Sequence, residues 1–336
     1  MKEDAFKISV AMCTFNGAAF LEAQLESILA QSRCPDEIIL SDDGSTDATL
    51  EIAASIAGKY PGKIRIFRNE HKPRGSCGNF EYAISLTTGD IIFLSDFDDV
   101  WFPEKVSTML RPFAENPEVV LVYSDAVLTD RELHPIGTMF DRRKAADLRK
   151  PPTAAALRRG VAFNGPMIAF HSRLKPFVMP ISPLSRQWAH DHWIGFLAYA
   201  AGEIAVIDRP LVYYRRHGQN EGGDAELDGG LQYQWRVARN KHSSPKAYGE
   251  KRRGWDDMVT RLREIKAGGL AHAYPVKVDE LLRVSEQSLD FAAARQSQKA
   301  RPRLARAPSA LRLLLAGDYH RYARGFKSFV QDVAIP

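Results

Sequence analysis

The sequence predicts an α/β protein built on a doubly wound, mainly parallel sheet with flanking helices, followed by a basic helical C-terminal region. Three observations carry this. Short β-branched and aromatic runs alternate with helix-period segments over the first 125 residues. Polar, mostly glycine-bearing segments follow the first, second and fourth of those runs, as expected where ligands gather at strand carboxyl ends. Beyond about residue 230 the pattern turns helical and the charge turns basic.

The elements follow in order. Strands are predicted at Ile8–Cys13, Glu37–Ser41, Lys63–Phe67, Ile91–Ser95 and Val119–Tyr123, each enriched in Val, Ile or aromatic residues. Phe20, Leu21, Leu25, Ile28 and Leu29 fall at helical spacing after the first strand, and Leu50, Ala53, Ala54 and Ala57 repeat that pattern after the second. Such β-α-β-α alternation favours right-handed crossovers and a parallel sheet. From 126 to 220 Pro and Gly interrupt the pattern, with further strands expected at Pro166–Phe170 and Ile204–Ile207. The expected organisation is a catalytic domain over 1–220, with halves at 1–125 and 126–220. A Gly-, Asp- and Glu-rich linker over 221–230 and the basic helical region 231–336 complete it.

Size and charge narrow the function classes. The 336 residues are 45% hydrophobic and 26% charged, a globular composition. The apolar run near the start is too short for a signal-peptide core, and no run approaches the ~20 apolar residues of a bilayer span. Cys13, Cys34 and Cys77 form no C-x-x-C pair, which argues against a disulfide framework or structural zinc. The expected location is the cytoplasm. Residues 231–336 hold 21 Lys and Arg against 10 Asp and Glu, so the net charge of +5 conceals a basic C-terminal third. No nucleic-acid signature accompanies it. The expectation is a helical surface that touches the inner face of the cytoplasmic membrane or packs on the catalytic domain or a dimer partner.

Asp96-Phe97-Asp98-Asp99 is the most informative stretch. It follows the apolar run Ile91–Ser95, so three carboxylates in four residues are thrown into a loop at a strand end. One acid suffices to cap the helix that begins near Pro103; three suggest a hard cation, Mg²⁺ or Mn²⁺, shared with substrate phosphates. Asp42-Asp43-Gly44-Ser45-Thr46-Asp47 follows the second strand on the same predicted rim. Its chemistry fits a turn and helix cap, or a carboxylate that accepts a pyrimidine imide N–H while Phe15 stacks on the base. In His190-Asp191-His192-Trp193 the carboxylate is a candidate general base. Tyr213-Tyr214-Arg215-Arg216-His217-Gly218-Gln219-Asn220 offers a late histidine and arginines for metal or diphosphate. No G-x-G-x-x-G or P-loop pattern follows the first strand, which disfavours dinucleotide and P-loop folds.

Together with Val10–Asn16, these motifs, in this order over residues 8–220, resemble the family 2 glycosyltransferases of GT-A fold, with the bacterial rhamnosyltransferase-like branch as the nearest likeness. The resemblance implies that Thr14, Phe15, Asn16 and Asp42, with Asp43 nearby, hold a pyrimidine nucleoside, under a loop containing Arg74, Gly75 and Asn79. It implies a DxD pair in which Asp98 binds the metal directly and Asp96 reaches the ribose or the metal. Asp191 then matches the base of inverting members, with Trp101 and Trp193 near the acceptor, and His217 and Arg215 match the segment at metal and diphosphate. Phe97 and Pro166 depart from the usual pattern of that branch.

The implied activity is metal-dependent, inverting transfer of a sugar, rhamnose favoured, from a dTDP- or UDP-linked donor to a glycan or polyprenyl-linked hydroxyl in cell-surface polysaccharide synthesis. The rival readings are a non-catalytic or hydrolytic nucleotide-sugar binder and a sugar-phosphate nucleotidyltransferase. The second lacks a Gly-rich basic triphosphate signature.

Overall fold

The computed structural model describes residues 5–69, 74–142, 149–158, 163–181, 188–217, 245–268, 275–323 and 325–334. Contacts divide the chain into two units. One comprises Met1–Pro152, Ala162–Ile181 and Ala189–His217; the other comprises Thr153–Val161, Ser182–Trp188 and Gly218–Pro336. The short segments 153–161 and 182–188, expected within the acceptor half, group with the helical unit. The expected linker 221–230 and the motif end Gly218-Gln219-Asn220 lie outside the described residues.

The first unit opens with β1 (Ile8–Thr14), α1 (Leu21–Leu29), β2 (Glu37–Asp42), α2 (Thr49–Lys59), β3 (Ile64–Arg68), α3 (Gly75–Leu86) and β4 (Ile91–Ser95). It continues through β5 (Val100–Trp101), α4 (Lys105–Glu115), β6 (Val119–Thr129), β7 (Pro135–Thr138) and the short helix α5 (Met139–Arg142). After α6 (Ala154–Arg158) of the other unit come β8 (Ile168–His171), α7 (Lys175–Val178), α8 (His190–Ala201) and β9 (Glu203–Arg215). Strands β1, β2 and β4 are buried along their whole length, which explains why they read as continuous apolar runs.

The sheet runs β3-β2-β1-β4-β8-β6-β9-β5, with β7 on β6. β3, β2, β1 and β4 are mutually parallel; β8 is antiparallel to both β4 and β6, and β6 is parallel to β9. Six strands therefore point one way, and β5, β7 and β8 point the other. The antiparallel members make the sheet mixed, because β8 returns between β4 and β6 without a crossover helix.

This topology places the site. The chain moves outward from β1 to β2 and β3, then resumes with β4 on the other side of β1, leaving a switch point between β1 and β4. The carboxyl ends of β1, β2, β4, β6 and β9 share one rim. The reversed β8 brings its leading turn, Gly165–Met167, to that rim. α8 precedes β9 and so begins where β9 ends.

The predicted strands lie within a residue or two at β1 to β4. β6 and β9 are longer than expected. Ser124 and Asp125 hid the continuation of β6, yet the Asp125 carboxylate accepts the N–H of Ala126 at 2.7 Å and of Phe140 at 3.0 Å and so remains buried. The expected strand Pro166–Phe170 begins as a 3₁₀ turn and becomes extended only at Ile168.

The second unit adds α9 (Pro245–Ala267), α10 (Pro275–Lys299), α11 (Arg303–Leu315), α12 (Asp318–Tyr322) and α13 (Phe326–Ala334). Phe291, Ala310 and Tyr319 form a core against which Leu313, Leu314, Tyr322 and Phe329 pack. Leu311, Arg312 and Leu315 lie on the exposed side of α11. Among the described residues no helix is long and apolar enough to cross a membrane.

Candidate active site

The loop after β4 carries Asp96, Asp98 and Asp99, whose carboxylates each offer an oxygen within 4.8 Å of the others. At an effective dielectric near 20, each ionised pair at that distance repels by roughly 3 kcal/mol. Burial and the charges of Asp98 and Asp96 push the Asp99 carboxyl well above its ordinary range, despite the Arg215 N–H and the Lys105 ammonium that oppose the shift. One buried Asp99 oxygen, Oδ2, has no hydrogen-bond partner. Three hard oxygens held this close, one of them unsatisfied, fit a divalent cation.

β9 ends against this loop. Arg215 donates its backbone N–H to Asp99 Oδ1 at 3.1 Å and its Nε–H to the Asp98 carbonyl at 2.8 Å. His217 Nε2 lies 2.8 Å from Asp98 Oδ2, so the histidine meets the acid cluster through Asp98. Its ring stacks on Phe20 with centroids 4.7 Å apart. A cation at Asp98 would take the place of the proton in that contact.

Asp191 lies in the first turn of α8. Its Oδ1 accepts the His192 N–H at 2.7 Å and its Oδ2 accepts the Gly165 N–H at 3.1 Å, which fixes the carboxylate against the turn before β8. A Cβ at Gly165 would lie 3.9 Å from Asp96 Oδ2 and 2.9 Å from His190 Nε2. One backbone position thus separates the acid cluster from Asp191. Burial together with the charges of Asp99, Asp96, Asp98 and Asp191 raises the Tyr214 phenol above its usual range, another sign that these four acids surround one place.

The rim after β1 and β2 is ordered by its own side chains. Asp42 Oδ1 accepts the N–H groups of Gly44 and Ser45, and its Oδ2 accepts the hydroxyls of Thr14 and Ser45. Four donors fill a carboxylate, so an imide contact at Asp42 requires the Ser45 hydroxyl to give way. Asp43 accepts from Asn69, Arg74 N–H and Gly75 N–H. Asn16 holds φ +49°, a left-handed conformation that Asn tolerates, with its side chain accepting the Thr46 N–H at 2.9 Å. Phe15 projects from this turn, 51% exposed.

Several expected positions face elsewhere. Trp101 and Trp193 are each 2% exposed, and the Trp193 indole donates to the Val178 carbonyl at 2.8 Å; both rings belong to the core and present no surface to an acceptor. Asn79 donates to the Ser41 carbonyl at 2.9 Å and accepts from the Ser41 hydroxyl, tying α3 to β2 rather than opening to a ligand. The Arg74 guanidinium lies over the Tyr82 ring at 4.0 Å.

Other residues at the site were missed. Lys105 is fully buried, donates to the Pro166 carbonyl at 2.6 Å and lies 4.9 Å from the Trp101 ring. Burial pulls its ammonium down to about 7 against the opposing pull of Asp99. Its signal was a lysine at helical spacing with Met109 and Phe113 on the apolar face of α4. Phe20 had no comparable signal, since an aromatic residue beside a helix reads as core; Tyr214 lay in the Tyr213–Asn220 motif without a role assigned to it.

Sheet order, switch point and rim acids define a GT-A glycosyltransferase fold. Residues 9–162 match the model of the Glycosyl transferase family 2. An uncharacterized glycosyltransferase, alr2836, of Nostoc sp. is 28% identical over 220 residues, 64% of this chain and 66% of that protein. The dTDP-rhamnosyl transferase RfbG of Shigella flexneri is 37% identical over 102 residues, 30% of this chain and 35% of that protein. The chain thus spans less than two thirds of the length of either relative. The crystal structure of S. aureus TarS 1-349 in complex with UDP-GlcNAc superposes with a TM-score of 0.57 at 16% identity, over 97% of this chain and 89% of that one, a likeness of fold.

Proposed function

We propose that the chain transfers a sugar from a nucleoside diphosphate donor to a hydroxyl of a glycan or lipid-linked acceptor, with inversion, in cell-surface polysaccharide synthesis. The observation that carries this reading is the meeting of Asp96 and Asp191 at Gly165, with His217 on Asp98. The nucleoside lies on the rim of Thr14, Phe15, Asn16, Asp42 and Asp43, with the exposed Phe15 ring against the base. The rhamnosyl donor is favoured by the likeness to RfbG over 102 residues.

Asp98 and Asp96, with Asp99 beside them, would hold Mg²⁺ or Mn²⁺; bound there, the ion supplies positive charge to a leaving diphosphate. Arg215 sits next to that charge and shares the task. Asp191 takes the proton of the acceptor hydroxyl, whose oxygen forms the bond to the anomeric carbon as the bond to the diphosphate breaks on the opposite face. The Gly165 and His192 N–H groups aim the Asp191 carboxylate for that role.

Asp191→Asn is expected to lower transfer about 10² to 10⁴-fold while leaving nucleoside diphosphate binding intact. Transfer at the wild-type rate by Asp191→Asn removes the residue from the mechanism. We also propose that Leu311 and Leu315, exposed beside Arg312, bring the helical unit to an anionic leaflet. Equal pelleting of wild type and a Leu311→Ser/Leu315→Ser variant with anionic vesicles eliminates that contact.

A further inference from the structure

β6 and β9 run parallel, and Thr129 pairs with Arg215 at their carboxyl ends. Arg131 lies two residues beyond Thr129 on the turn into β7 and is exposed. Its guanidinium carbon lies 5.2 Å from the centroid of Phe20, and that of Arg215 lies 4.9 Å from the same centroid. The Arg131 carbonyl also accepts a hydrogen bond from Arg215 Nη1. His217 stacks on the same ring. Phe20 is thus a platform on which two guanidinium groups and an imidazole are gathered beside the loop of Asp98.

Like charges gathered on one ring repel, just as the neighbouring carboxylates do, and an anion between them relieves the repulsion. Asp99, Asp98 and Glu132 are the acids whose charges act on Arg215. Among the described residues Arg131 forms no ion pair, and its guanidinium rests on the Phe20 ring. A planar guanidinium with its N–H fork uncommitted suits a phosphate oxygen.

We infer that Arg131 is a second anion-binding side chain of the donor site, held by Phe20 beside Arg215 so that the two arginines clasp the diphosphate of the donor and of the departing product. This rests on the donor reading above and adds to it a residue that neither motif nor strand end marks. Phe20 is the positioning residue: it orders Arg131, Arg215 and His217 through its face, without touching the ligand.

The test is titration of the full chain with Mn²⁺ and inorganic pyrophosphate, and separately with UDP, dTDP and GDP in the presence of Mn²⁺. Arg131→Ala is expected to weaken pyrophosphate and nucleoside diphosphate binding about three- to tenfold, Arg131→Glu more, and Arg131→Lys less. Because the side chain is exposed, the melting temperature of all three variants should match wild type. Affinity for uridine or thymidine alone should not change. Wild-type pyrophosphate affinity in Arg131→Ala overturns the inference while leaving the donor reading in place. So does a tighter Mn²⁺ affinity with unchanged pyrophosphate binding, since Arg131 would then serve to balance the acids. If no nucleoside diphosphate binds the wild-type chain with Mn²⁺, the donor reading falls and the clasp falls with it.

Discussion

In the helical unit, the Asp332 carboxylate on α13 is fully buried and accepts four hydrogen bonds. Two come from Arg295 on α10, at 2.6 and 2.7 Å, one from the Tyr319 hydroxyl at 2.6 Å and one from the Tyr248 hydroxyl. One charge meets one opposite charge, and every lone-pair direction of the carboxylate is used. In the sheet unit, Asp96, Asp98 and Asp99 crowd together, and a buried Asp99 oxygen is left without a hydrogen bond. The first arrangement is complete within the chain and reads as structure; the second leaves a buried acceptor unmatched and reads as a place for a ligand. Burial of acids therefore does not by itself mark a site. The distinguishing feature is whether the fold supplies enough donors to match them.

Asp332→Asn leaves Arg295 buried with a neutral neighbour and is expected to cost about 3–5 kcal/mol in urea or thermal unfolding, with nucleotide binding retained. A loss below about 0.5 kcal/mol would show that the four-donor cluster is not holding the helices together.

Next in size is the response to metal. Mn²⁺ at about 100 times its dissociation constant should stabilise the folded chain by about 2.7 kcal/mol, visible as a rise in melting temperature. Asp98→Ala should abolish the rise and Asp332→Asn should keep it. An identical rise in Asp98→Ala would detach the cation from the cluster.

A pH effect concerns Lys105, whose folded-state pKa is depressed from 10.5 to about 7. Between those values the unfolded chain binds more protons than the folded one, so stability from this group grows as pH rises from 7 towards 10.5 and is lost as pH falls back through 7. Lys105→Met should flatten that part of the profile, removing a swing on the order of several kcal/mol between pH 7 and 10.5. A wild-type slope in Lys105→Met would mean that another group titrates there.

Much of the fold was legible because its signals are local. A strand buried on both faces must be a short apolar run, and the polar segment at its end must be a loop, so β1, β2 and β4 and their motifs announced themselves. The acid cluster was legible for the same reason. Trp101 and Trp193, expected near the acceptor, are each 2% exposed; an indole beside a functional motif has the same sequence signature whether it points outward or into the core. The length of β6 was hidden by Asp125, whose burial depends on the Phe140 N–H fifteen residues away.

The amino-acid sequence by itself determined the strand-and-helix alternation, the acids of the rim and the basic helical end, since each follows from residue type and spacing within a few turns of chain. The tertiary structure alone decided that β8 runs backwards and delivers Gly165 between Asp96 and Asp191. It also decided that Phe20 gathers Arg131, Arg215 and His217, and that Asp332 closes on Arg295. Those contacts join residues 26 to about 200 positions apart, and only the packing of whole elements fixes such distances.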